Sequence, residues 1–89
     1  MDLRSLIGDR AKELSEDERR VMEYFVSNIS VGELIVLREL RARYKIREPL
    51  RILRSLVEKG LLERGEGCYN LAGELREKIF ESRRSRYSR

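Results

Sequence analysis

Residues 47–71 read REPLRILRSLVEKGLLERGEGCYNL, a helix, a glycine stop and a hairpin in succession. Pro49 holds its φ at a helix-starting value and biases Glu48 away from the α region, so a helix begins at Pro49 with its first turn preset. Gly60 ends that helix. Leu50, Leu53, Leu56 and Val57 recur at three- and four-residue spacing and form one apolar stripe. Glu48, Arg51, Ser55, Glu58 and Lys59 are left on the opposite side, free to touch a partner. Two short runs follow, 61–64 and 68–71, joined by Gly65-Glu66-Gly67 in a tight hairpin loop.

Working outward, the whole chain of 89 residues has room for one small domain. One Cys and no His exclude a disulfide framework, an ordinary zinc site and any Ser-His or Cys-His nucleophile pair within the chain. No metal or cofactor is expected. No apolar run has membrane-spanning length and residues 1–4 do not open a signal peptide, so the expectation is a soluble, cytoplasmic protein with no membrane partner. Gln, Thr, His and Trp are absent and Arg dominates the basic residues, a usage that fits heat-adapted proteins. The net charge is +4. Residues 1–81 carry 16 basic and 16 acidic side chains, so the whole excess belongs to SRRSRYSR at 82–89. That segment reads as a short basic arm behind a balanced body, loose beyond the last helix.

Residues 1–14 place Leu3, Leu6, Ile7, Ala11 and Leu14 on one helical stripe, with Gly8 a weak point in its middle. Such a helix can pack on its own domain or on a second subunit. Ser15-Glu16-Asp17-Glu18 is a capping box, and Val21, Met22, Phe25, Val26 and Ile29 give the buried face of a helix running to about Asn28. Ser30-Val31-Gly32-Glu33 has the form of a second box, with Leu34, Ile35, Leu37, Leu40 and Tyr44 as the inward face of the next helix. Residues 29–31 have a second option, a brief extended segment added to the hairpin edge. Ile46 is the core plug of the turn before Pro49, and residues 72–84 form a last helix with Leu75, Ile79 and Phe80 on its apolar side.

The order capped helix, turn, helix ending in Glu58-Lys59-Gly60, then a Leu-Leu hairpin resembles the winged helix-turn-helix family. ISVGEL at 29–34 and LRSLVEKGLLERGEGCYNLA at 53–72 carry the likeness, which covers about 15–80. The resemblance implies a mainly α fold with a small β-hairpin, one winged-helix domain over 1–81. In it, 1–14 and 72–81 are flanking helices and 15–71 the helix-turn-helix and wing. It also implies a homodimer paired through flanking helices, with Leu3, Leu6, Ile7, Leu75, Ile79 and Phe80 as the candidate contacts. Residues 49–59 correspond to the family's recognition helix and 64–69 to its wing. Arg51 then reads guanine or touches phosphate, Ser55 meets a base edge, and Arg47, Arg54 and Lys59 reach flanking phosphates. Glu48 departs from what a phosphate-facing helix start prefers; its options are to satisfy the helix dipole, to accept from cytosine or to repel the backbone. Family wings that enter the minor groove carry basic tips, whereas this tip is Gly-Glu-Gly with only Arg64 beside it, so deep insertion is not expected. Arg83, Arg84, Arg86 and Arg89 would supply electrostatic affinity instead.

The remaining chemistry is thin. Cys68 reads as a small apolar strand residue, Tyr24 and Phe25 as core, and the many Glu residues as partners of Arg and Lys at helical spacing. No set of residues meets the outline of a catalytic site, so an enzyme is not expected. The leading expectation is a double-stranded DNA-binding protein, a transcriptional regulator or chromosome-associated factor. The alternative is a non-catalytic winged helix that docks on protein within a larger assembly, favoured by the neutral body and the acidic wing tip.

Overall fold

The computed structural model describes residues 2–87 and the side chains of 2–84. In chain order the elements are α1 (Leu3–Ile7), a 3₁₀ segment (Gly8–Glu13), α2 (Glu16–Asn28), β1 (Ser30–Gly32), α3 (Glu33–Ala42), α4 (Pro49–Glu58), β2 (Leu62–Gly65), β3 (Cys68–Leu71) and α5 (Gly73–Tyr87). The fold is mainly helical with a small antiparallel sheet in the order β1-β3-β2, a winged-helix-like arrangement. Among the described residues no helix is long and apolar enough to cross a membrane.

Both boxed helices test local capping against tertiary pairing. At α2 the Ser15 hydroxyl accepts from the Glu18 N–H at 3.1 Å and the Glu18 carboxylate accepts from the Ser15 N–H at 2.9 Å, so the box forms as read. At Ser30 it does not form. Ser30 and Val31 pair with Asn70 and Tyr69 in the sheet, realising the extended option, and Gly32 becomes the cap of α3 without a side-chain bond. The Glu33 N–H donates to the Gly67 carbonyl at 2.9 Å, so the hairpin loop supplies an acceptor for the α3 start.

The inward face of α3 is rotated relative to the expected one, with Leu37 and Leu40 on the core side as read. Val36 and Leu40 are the buried pair, while Leu34 and Ile35, expected inward, lie 79% and 55% exposed. The core comprises Val21, Met22 and Phe25 of α2, Val36 and Leu40 of α3, Leu53 and Leu56 of α4, and Leu62, Tyr69 and Leu71 of the sheet. Ile46 plugs the turn between α3 and α4 as read, with its N–H donating to the Leu40 carbonyl at 3.0 Å.

The ends also depart from expectation. Residues 1–14 are not one helix, because Gly8 takes φ 62° and caps α1 after five residues. At the other end α5 continues through Tyr87, past its expected end at about 84, so the helix reaches farther into the basic segment than read. α1 packs on α2 and α5, and Lys78 Nζ donates to the Leu6 carbonyl at 3.4 Å.

Candidate functional site

The exposed side of α4 forms the floor of a groove of about 520 Å³ whose other wall is the end of α3. Arg41, Arg47, Arg51 and Arg54 line it against Glu48 and Glu58. Arg51 and Glu48 pair at 3.3 Å across one turn with both side chains largely exposed, which tethers the guanidinium weakly. The structure thus brings Arg47, Glu48, Arg51 and Arg54 together in one groove.

Ser55 lines the same groove but its hydroxyl is turned inward, and Lys59 goes with it. The Ser55 hydroxyl and Lys59 Nζ each donate to Glu18 Oε2 at 2.7 Å, and Glu18 is 6% exposed. Burial alone would raise the Glu18 pKa; the hydrogen bonds from Lys59, Ser15 and Ser55 and the Lys59 charge overcome it and hold the carboxyl at about 2. Two candidate contact residues therefore lock α4 onto α2. Arg64 is similarly occupied, pairing with Glu33 at 3.4 Å and lying over the Tyr69 ring at 5.8 Å. Together with the Gly67 carbonyl it braces the wing against the start of α3.

The expected dimer contacts resolve differently. Leu3, Leu6, Ile7, Leu75 and Ile79 are buried in the chain's own core, which leaves them little surface for a second copy. Burying α1 against α5 within one chain is the reason. Phe80 alone of that set is outward, 43% exposed beside Glu74, Arg76 and Glu77. Arg83 and Arg84 are exposed on α5, remote in sequence from the groove, and the Arg86, Tyr87 and Arg89 side chains lie outside the described residues.

The feature missed in sequence is the outward face of α3. Leu34 and Ile35 stand exposed there, and Arg38 and Arg41, also exposed, follow Leu34 by one and two helical turns. A signal for half of it was present: residues 38–54 hold seven basic and two acidic side chains, an asymmetry hidden by the balanced total over 1–81.

No curated protein matches the chain. A family model does, over residues 15–77, from the capping box of α2 into α5. Its description names a protein that binds PolB1. The chain belongs to the PolB1 Binding Protein 2 family.

Proposed function

We propose that this chain is a non-catalytic subunit that docks on a PolB1 polymerase. The family supports a protein partner, and one observation of the molecule carries the reading furthest: Leu34 and Ile35 remain 79% and 55% exposed at the start of α3. Fully burying one such side chain is worth about 1.5–3 kcal/mol, stabilisation that folding leaves unused and a partner can recover. Direct duplex readout draws less support. Of the residues expected to read or grip DNA, Ser55 and Lys59 are bonded to Glu18 and Arg64 to Glu33.

Size-exclusion chromatography of the full chain with purified PolB1 polymerase tests this. Co-elution in a fixed ratio, together with duplex binding by the chain alone that fades as salt rises, is the expected pair of results. A chain that elutes apart from the polymerase at micromolar concentration, or that selects one duplex sequence at high salt, would overturn the docking reading.

A further inference from the structure

We propose that the outward face of α3 and the arginine groove beside it are one continuous surface that binds an acidic amphipathic helix of the polymerase. This rests on the docking reading above and gives it a location and a partner chemistry. Leu34, Arg38 and Arg41 follow the spacing that keeps side chains in one file along a helix, and two turns of that file span about 10 Å. Ile35 flanks the file, three residues before Arg38. The opposite side of α3 is committed, since Val36 and Leu40 are fully buried. At Arg41 the file enters the groove over α4, where Arg47, Arg51 and Arg54 extend it.

An occupant must satisfy both halves of this surface. It has to bring apolar side chains to Leu34 and Ile35, and carboxylates to guanidinium groups one turn and two turns farther along. A helix with apolar residues at one end of a face and Asp or Glu at the following turns does so in the usual helix-in-groove manner. Arginine suits the second half because its planar fork takes a carboxylate through two parallel bonds. The charge is matched as well: seven basic and two acidic residues occupy 38–54, while the acids that neutralise the body lie elsewhere in 1–81. A nucleic-acid backbone fits less well. It would leave Leu34 and Ile35 uncovered, because a phosphate backbone brings no apolar side chain to them.

Isothermal titration of full-length protein with purified PolB1 polymerase, at low and high salt, tests the assignment. Two double variants are compared with the unaltered chain: Leu34→Ala with Ile35→Ala, and Arg38→Glu with Arg41→Glu. All four side chains are exposed, so circular dichroism is expected to show unchanged folding. Each double variant is expected to bind at least tenfold more weakly, and the charge reversal to flatten the salt dependence. Phe80→Ala, on a separate exposed site, is expected to bind within twofold of the unaltered chain. Polymerase binding that survives both α3 variants overturns this surface while leaving the docking reading intact, and loss through Phe80→Ala alone would move the contact to α5. Absence of binding by the unaltered chain overturns both. Variants that lose duplex-DNA binding but keep the polymerase would assign the arginines to nucleic acid and also overturn the proposal. If either variant fails to fold, hydrogen exchange on the unaltered complex replaces it: protection across 33–42 and 47–54 supports the surface, and protection elsewhere rejects it.

Discussion

Glu18 Oε1 accepts from the Ser15 N–H at 2.9 Å, while Oε2 accepts from Ser55 and Lys59 at 2.7 Å each. Its carboxyl is held at about 2 against an ordinary 4.5, so the folded state prefers the ionised form. A depressed carboxylate pKa stabilises the fold above the unfolded value and loses that contribution as pH falls from about 4.5 through about 2. With allowance for solvent around the half-exposed Lys59, the contribution is about 2 kcal/mol. Glu18→Gln should therefore destabilise by about that amount at neutral pH, with the gap narrowing in acid; urea unfolding at both pH values measures it, and a constant gap would deny the charge a role. Sequence showed Glu18 as a capping residue and stopped there, because its second set of partners lies 37 and 41 positions away. The helix wheel of α4 assigned Ser55 and Lys59 to the free side for the same reason. Gly65 makes a second residue-scale prediction. A Cβ there would lie 2.8 Å from Cys68 Sγ and 3.3 Å from Asn70 Nδ2, across the strand pair. Gly65→Ala should cost about 1 kcal/mol, and less in a Cys68→Ala background, where the sulfur is gone; a double-mutant cycle by denaturant unfolding reads the difference.

At the scale of elements, legibility followed how local the deciding interactions are. α2 and α4 were readable with their ends because a capping box, a proline start and a glycine stop act within a few residues. The start of α3 was not. Ser30 had the local option of capping, but pairing with Asn70 and the acceptor offered by Gly67, both from the distant hairpin, decided the outcome. In α3, Val36 and Leu40 take the core and the candidate docking residues Leu34 and Ile35 stand outward. The turn between α3 and α4 contains a cost of its own. Lys45 adopts φ 57°, a left-handed value unfavourable for a side-chain-bearing residue, and is exposed, while the neighbouring Ile46 is buried and fixes the turn. Lys45→Gly should raise stability by about 0.5 kcal/mol, the relieved strain exceeding the added freedom of the unfolded chain, and thermal unfolding would show the higher midpoint.

Over the whole molecule the informative quantity is where charge lies, not its sum. The excess of four positive charges belongs to 82–89, which drew the sequence reading toward a basic arm on DNA, while the balanced total of 1–81 concealed the cluster at 38–54. Folding concentrates that cluster by setting the end of α3 against α4, so the arginines share a groove. The two basic regions can be separated experimentally because the described side chains at 82–84 are exposed and contribute nothing to the core. A chain ended after Glu81 should unfold at nearly the same temperature and bind PolB1 polymerase within twofold of the full chain, with the same salt dependence. Its residual attraction to mixed duplex DNA should fall, since the lost arginines carry the entire net charge and nonspecific phosphate binding follows charge. Titration of both chains into polymerase and into duplex distinguishes the regions. Polymerase binding lost with the truncation would place the contact at the end of α5, because the α3 surface and its groove would be unchanged in that variant.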